Sequence, residues 1–525
     1  MYEFGMTRKY VLPQARRETL FESFYVPKLD TTVRLVIAKP EDAEVLTDYI
    51  CDRFAAEEPL DVAAGLTAEE LRERYAPLVT ECLERPFTIL ATDCFEIVGV
   101  VSGIAVRKGP QRTAPLLDDY AEKITASTAG SLGARQIEVF VDELESWTPN
   151  HLPDDCDEFF RIDFFSLLPD YQGAGLGKRL WFESLDLARR SGFWFVESGC
   201  SARASTAIAK KFGMDSICTI PYANFCADGR PVFGEVLRDG SREANLMFGS
   251  LREIAPLLDE VRNQPVRLPE VYRMEKRERK VVDPAFVLPR LGDRSIQIVM
   301  ADVEDHPAIQ RFMRNEYVRQ LPMRRTLQCS KEEDDRKAAE LSVDLIAHGL
   351  TLLALDDGKL CAVLINVRRA ITHGPPVSEE PKQDYTAEID AAMADGLSFK
   401  HAVFRAFFSR FVAIVPQKLP ADCSELFVVY HLGVHPDYCG NKLGEKLWRE
   451  SLKLAKRRGF RFAQSLCSAV ATNRIAAKAG MKAVFSQPFS DLRYKGAPLF
   501  VDGRLYDGGE VTKLWIGDLD EMQLD

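Results

Sequence analysis

The sequence predicts an α/β protein made of two tandem copies of one domain, each a mixed, mostly antiparallel sheet flanked by helices. Length is the first observation: 525 residues far exceed a typical domain of about 100–200 residues. Second, the chain repeats itself. Phe164 to Met214 aligns without a gap on His431 to Met481, with about half of the positions identical, and such self-similarity marks a duplicated unit. Third, each copy alternates short apolar, β-branched runs with helical segments, the order expected of a sheet covered by helices.

The repeat extends upstream. Leu152–Phe160 faces Leu419–Phe427, Val33–Asp42 faces Ile296–Asp305, Pro59-Leu60 faces Pro322-Met323, and Leu90–Asp93 faces Leu353–Asp356. The expected organisation is an N-terminal extension over residues 1–30, a first domain over 31–261, a linker over 262–294 rich in Pro and basic residues, and a second domain over 295–525. The two domains are expected to pack on each other within the chain.

In the first copy, Val33–Ala38 reads as a strand. Pro40-Glu41-Asp42 opens a helix, with proline and acids in the first turn, where unpaired N–H groups and the helix dipole favour them. Phe87–Thr92 and Ile97–Val106 form a hairpin around Asp93-Cys94-Phe95-Glu96; the counterpart Asp356-Asp357-Gly358-Lys359 carries a stronger turn signal. Phe159–Leu168 is a strand and Gly173–Gly177 a glycine turn. A helix follows to about Ser191, stopped by Gly192. Phe193–Ser198 is the next strand, and Ala204–Phe212 the next helix, closed by Gly213.

Gln172-Gly173-Ala174-Gly175-Leu176-Gly177 therefore lies between a strand and a helix. Without Cβ atoms, backbone N–H groups can approach an anion closely, and the following helix adds its unpaired donors and dipole. A pyrophosphate is the guest such a turn suits. A purely structural turn would read the same way. A dinucleotide fold would add an acid about 20 residues on, where Glu197 stands. A Gly-Lys-Ser/Thr phosphate loop is excluded, because Lys178 is followed by Arg179.

Leu167-Leu168-Pro169-Asp170-Tyr171-Gln172-Gly173-Ala174-Gly175-Leu176-Gly177 resembles motif A of the GCN5-related N-acetyltransferases (GNAT), and Ser201 to Met214 resembles the rest of that pattern. The resemblance covers nearly all of each copy. It implies two tandem GNAT folds, acetyl-CoA as cosubstrate without a metal, and a cofactor site of Leu167, Leu168, Gln172, Gly173, Ala174, Gly175, Leu176, Gly177 and Lys178. Phe54-Ala55-Ala56-Glu57-Glu58-Pro59-Leu60 is similar to the Asp-Glu-Pro-Leu segment of insect-type arylalkylamine (dopamine) N-acetyltransferases, whose second acid is the catalytic base and maps onto Glu58. That family's Cys-Ser-x-x-x-Ser segment, with both serines implicated in catalysis, reads here Cys200-Ser201-Ala202-Arg203-Ala204-Ser205. Tyr222-Ala223-Asn224-Phe225 resembles its Phe-Ala-Asp-Tyr segment. The implied activity is acetyl transfer to a small primary amine, with Glu58 as base and Ser201 and Ser205 taking part.

The chemistry suits these residue types. A primary amine with a pKa of about 10.4 arrives protonated and cannot attack a thioester. A carboxylate that draws the proton off is worth about 10²–10⁴-fold, and burial would raise its pKa toward that task. Strand N–H groups can polarise the carbonyl. The same residues also have plainer readings. Adjacent acids such as Glu57-Glu58 usually form a solvated helix end, and serines before a helix usually cap it. Protein lysines or N-termini are an alternative acceptor. They call for an open groove, whereas Phe54, Tyr222 and Phe225 suggest a closed apolar pocket. A CoA-binding scaffold without turnover is a third reading. The sequence departs from many GNAT enzymes at Ala209, where a general-acid tyrosine would stand. Arg161 and Asp163 occupy the positions of two histidines in the vertebrate arylalkylamine enzymes. Asp163 reads as a structural residue or as a second polar group of the site.

The second copy reads as degenerate. Cys439 replaces Gln172, Lys442 replaces Gly175, and Leu321 replaces Glu58; Ser201 faces Ser468 and Ser205 faces Thr472. A Cβ then stands where backbone should approach phosphate, although Lys442 could still pair with an anion. His431 and His435 lie on a strand-to-loop segment, a poor basis for a metal site.

Composition bounds the rest. A net charge of -11 argues against binding nucleic acid or an anionic membrane. Twelve cysteines without a Cys-x-x-Cys pair suit free thiols in a reducing compartment rather than disulfides or zinc. With no leader-like segment and no apolar run near the roughly 20 residues needed to span a bilayer, a cytoplasmic protein is expected.

Overall fold

The computed structural model describes residues 10–264 and 268–524. The chain divides into two compact units, Met1–Gln264 and Pro265–Asp525, and each builds its own sheet. Positions 1–9 of the expected extension and 265–267 of the expected linker lie outside the described residues.

The strands of the first unit are β1 (Thr19–Val26), β2 (Thr31–Ile37), β3 (Ile89–Asp93), β4 (Glu96–Arg107), β5 (Glu158–Leu167), β6 (Phe195–Cys200), β7 (Asp215–Pro221), the short β8 (Cys226–Ala227) and β9 (Arg230–Pro231), and β10 (Glu243–Ser250). Eight of them form one sheet in the order β1-β2-β3-β4-β5-β6-β10-β7. Its neighbours are antiparallel except β5 and β6, which run parallel. The helices are α1 (Ala43–Tyr49), α2 (Pro59–Ala64), α3 (Ala68–Cys82), α4 (Ala121–Ala126), α5 (Leu132–Glu145), α6 (Leu176–Arg190), α7 (Arg203–Lys211) and α8 (Leu251–Arg262).

Helices cover both faces. Trp181 of α6 and Leu258 of α8 pack with Phe160 and Val196 on one side. Tyr49 of α1 and Val79 of α3 pack with Leu90, Val100 and Phe164 on the other. Burial, here and of Leu60 of α2 against Phe140 of α5, rather than helix propensity, holds the short α1 and α2 in place. Pro59 at the start of α2 and the Thr67–Glu70 capping box at α3 fix where those helices begin.

The second unit repeats the plan with β11 (Val281–Leu288), β12 (Arg294–Met300), β13 (Leu352–Asp356), β14 (Lys359–Ala370), β15 (Glu425–Val434), β16 (Phe462–Cys467), β17 (Lys482–Pro488), β18 (Arg493–Tyr494), β19 (Ala497–Pro498) and β20 (Val511–Asp518). Its sheet order, β11-β12-β13-β14-β15-β16-β20-β17, matches the first strand for strand, again with one parallel pair, β15 and β16. The expected fold class is therefore present twice.

Three features differ from the sequence reading. The segment expected as an extension supplies β1, and the expected linker supplies β11. Each is an edge strand whose only sheet partner is the following strand, so its state is set by pairing. The last strand of each sheet, β10 or β20, inserts between the two before it, an order that local patterning does not encode. Among the described residues, no helix is long and apolar enough to cross a membrane.

Candidate active site

In the first unit the pairing of β5 with β6 is brief. It covers Phe160↔Val196 and Arg161↔Glu197, after which β5 continues along β4 to Leu167 and β6 continues along β10 to Cys200. The strands part like a wedge, leaving ladder groups on the facing edges without a strand partner. A bulge between Ser102 and Gly103 of β4 leaves Asp163 as the extra residue of β5 at the start of the wedge, and bulges of this kind re-aim side chains.

A cavity of about 890 Å³ fills this region, lined by Ile162–Leu167, Ser198, Gly199 and the turn before α6. The turn closes on Gly175, the N-cap residue of α6, with φ 89°. Only glycine takes this left-handed conformation freely. A Cβ on Gly173 would meet nothing within 4 Å, and one on Gly175 only Phe24 at 4.0 Å. The loop is thus an open cradle at a helix N-terminus.

Glu58 stands in the same cavity. A single π turn over Ile50–Phe54 carries the chain out of α1, and Glu58 then caps α2, accepting from Asp61 N at 2.7 Å. From across the wedge Ser201 donates its hydroxyl to Glu58 Oε1 at 2.6 Å, and Tyr222 donates to the Ser201 carbonyl at 2.7 Å. Glu58 is half-buried. Burial first and the neighbouring Asp61 carboxylate second push its pKa up to about 7, against the pull of the Ser201 hydrogen bond. A carboxylate so placed exchanges its proton near neutral pH.

The predicted residues separate into groups. Glu58, Ser201, Ser205, Leu167, Gln172, Gly173, Gly175, Gly177 and Lys178 line the cavity. Leu168, Ala174 and Leu176 instead pack into the core beneath the loop, with Leu168 N bonded to Val98 O at 2.9 Å. Ser205 donates to Ala202 O at 3.0 Å, and neither serine caps α7, whose N-cap is Ala202. Of the aromatic residues expected to shape the pocket, Phe54 does line it. Tyr222 and Phe225 sit behind the wall in a cluster with Tyr120, Phe140 and Phe233.

Asp163, one of the two readings of which was a second polar group, does line the cavity, whereas the ion-paired set beside it was not legible in the sequence. Arg161 on β5 pairs with Glu145 of α5 at 2.7 Å and with Glu197 of β6, while Thr148 donates to the other Glu197 oxygen. Glu197 is fully buried and ion-paired, so it is not available to a ribose, and the dinucleotide reading falls. Asp163 lies next to this group. Burial raises its pKa to about 7 despite the attraction of Arg161, and the Cys82 thiol is 3.9 Å from Oδ2. The wall given by α3, α5, β5 and the approach to α2 carries Glu57, Glu58, Glu81, Glu138, Asp142, Glu145 and Asp163 against Arg74 and Arg161. That balance suits a cationic guest.

In the second unit the loop keeps its path but not its openness. Lys442 takes the left-handed place of Gly175, φ 61°, as N-cap of the helix Leu443–Arg457. Arg290 lies over Gly440, where a Cβ would come within 2.5 Å of its guanidinium, and Asn441 Oδ1 accepts from Arg290 N at 2.8 Å. His431 Nδ1 is bonded to Tyr317 Oη at 2.7 Å, and His435 faces Glu316 at 3.7 Å.

No family model matches the sequence, and no curated protein matches it. Similar solved structures include arylalkylamine N-acetyltransferase 2 from Aedes aegypti, 15% identical, covering 43% of this chain and 99% of that one at a TM-score of 0.36. Another is the polyamine N-acetyltransferase of Drosophila melanogaster, an enzyme that forms N-acetylagmatine: 16% identity, 42% and 99% coverage, TM-score 0.32. A third is an acetyltransferase of the GNAT family from Streptococcus pneumoniae, with 16% identity, 42% and 99% coverage, and a TM-score of 0.25.

Proposed function

We propose that the first unit is an acetyl-CoA-dependent N-acetyltransferase acting on a small primary amine, and that the second is a degenerate copy of it. One observation carries the reading: Glu58, poised near neutrality and bonded to Ser201, shares a cavity with an open glycine cradle.

The residues fit the cosubstrate. Gly173 and Gly175 leave room for an anion, and the first turn of α6 offers N–H groups and the positive end of a helix dipole to a pyrophosphate. Lys178 adds a cation at the cavity wall. The parted edges of β5 and β6 offer backbone donors and acceptors to an extended amide chain. When bound there, acetyl-CoA would supply an acetyl carbonyl activated as a thioester. The carboxylates opposite would attract an ammonium group, and Glu58 would accept its proton, freeing the nitrogen lone pair to attack the acetyl carbon; as the C–N bond forms and the C–S bond breaks, CoA would leave as the thiol with the second proton shed by the nitrogen. Ser201 holds Glu58 Oε1, leaving Glu58 no freedom to swing away from the wedge.

A CoA-release assay with acetyl-CoA and a panel of arylalkyl and aliphatic amines tests the reading. Turnover with at least one amine is expected; tight acetyl-CoA binding without turnover on any of them would remove the amine from the proposal. Gly175→Val tests the cradle separately. A β-branched residue at φ 89° costs roughly 1–2 kcal/mol in backbone strain and fills the loop. Acetyl-CoA affinity, measured by calorimetry, should drop about ten-fold or more; an unchanged affinity would place the pyrophosphate elsewhere.

A further inference from the structure

We propose that Asp61, held by Tyr75, is a positioning residue for Glu58, setting a second buried carboxylate beside it that keeps Glu58 ready to accept a proton. The inference rests on the reading of Glu58 as the base.

Asp61 lies on the first turn of α2, and its backbone N–H reaches Glu58 Oε2 at 2.7 Å. Its own side chain is buried, 3% exposed, and Oδ2 accepts the Tyr75 hydroxyl. Among the described residues none hydrogen-bonds Oδ1, which has only a long ion pair to Arg74 Nε at 4.0 Å. A buried carboxylate oxygen left in this state costs stability, so a purely structural role is a poor account of it. The second unit supplies the control. It builds the same turn, with Pro322 opening a helix and a Ser330–Glu333 capping box after it, yet Leu321, Arg324 and Ala338 stand where Glu58, Asp61 and Tyr75 would be. Arg324 there pairs with Asp334 at 2.6 Å. The fold forms without the three residues, and all three are replaced together.

Like charges held close resist ionising together, and Asp61 is the second-largest influence raising Glu58. The other polar groups around Glu58 are Arg74 and Tyr75 of α3, Ser201 after β6, Tyr222 after β7 and the exposed neighbour Glu57. None of them supplies a second buried carboxylate.

The test is the pH profile of kcat/KM for wild type, Asp61→Asn, Tyr75→Phe and Glu58→Gln, with thermal melts of each full-length chain. In Asp61→Asn the acid limb should move roughly one pH unit lower, because Glu58 then gives up its proton more readily. Tyr75→Phe lets Asp61 hold a proton to higher pH, so its limb should move the same way by less. Folded variants whose limbs stay with wild type overturn the inference. If Asp61→Asn does not fold, Tyr75→Phe decides alone: a lower limb supports the role, an unmoved one overturns it. An unmoved limb alongside an inactive Glu58→Gln sinks this inference and leaves the base in place, whereas a fully active Glu58→Gln removes the base and this inference with it.

Discussion

Glu58→Gln is expected to lower kcat/KM by about 10²–10⁴-fold, the range for loss of a general base, and to abolish the rise of activity with pH through about 7. Glutamine keeps the size of the side chain and its capping oxygen, so α2 retains its start. The stability sign separates chemistry from unfolding. Burial raises the Glu58 pKa in the folded chain, so the folded state binds its proton more tightly than the unfolded state does. Stability tied to that proton is fully present below the ordinary carboxylate range and is lost as pH rises through about 7. Glutamine removes this slope, and the melt of the variant above neutral pH should match or exceed wild type. Turnover within a few-fold of wild type would show that another group takes the proton.

The second large effect is one of stability. Glu197→Gln should destabilise the first unit by about 3 kcal/mol, since removing one partner of a buried ion pair leaves a charge poorly compensated. Arg161 would keep Glu145 but lose the anion that is itself fully shielded from solvent. In the second unit the buried Val428 and Gln464 occupy the positions of Arg161 and Glu197, and the exposed Val412 that of Glu145, so the sheet forms there without these charges. The triple change Glu145→Val, Arg161→Val, Glu197→Gln should therefore recover most of the loss, since apolar residues often replace buried ion pairs without penalty. Urea unfolding of the full chain measures both. A triple variant less stable than the single one would show that the charges hold this sheet together. With stability recovered, a higher KM for the amine is expected, as the cavity wall loses its fixed charges.

Much of this was readable beforehand where neighbours in sequence do the work. The glycine turn, the helix after it and the hairpin at Asp93–Glu96 are local, and the second unit has the same elements in the same order. Glu58 and Ser201 were also within reach, because a short motif marks each. That they touch was not, since 143 residues separate them and only the sheet order brings them together. Asp61 carries no motif of its own, and nothing nearby in the sequence tells that Tyr75 closes over it. The Glu145–Arg161–Glu197 group draws on α5, β5 and β6, which no spacing rule connects. Leu168 and Leu176 were assigned to the cofactor by motif alone, and packing takes them into the core. Tyr222 and Phe225 stand behind the cavity wall because the turn after β7 lays their rings against Phe140 of α5, and only the Tyr222 hydroxyl reaches forward, to the Ser201 carbonyl.

Lys442, held at φ 61° in the place of Gly175, has a consequence for how ancestry is read from shape. A lysine there endures a conformation that favours glycine, so the turn forms without the residue best suited to it. The two loops share one pattern of left-handed turns, while only the first leaves its cradle open. A search that compares traces of the main chain would count the two turns as alike; a search that weighs side chains would separate them. Lys442→Gly would restore the contour of the cradle at a single position, yet Arg290 would still lie across it. Opening the second cradle thus takes at least two substitutions, one at Lys442 and one at Arg290.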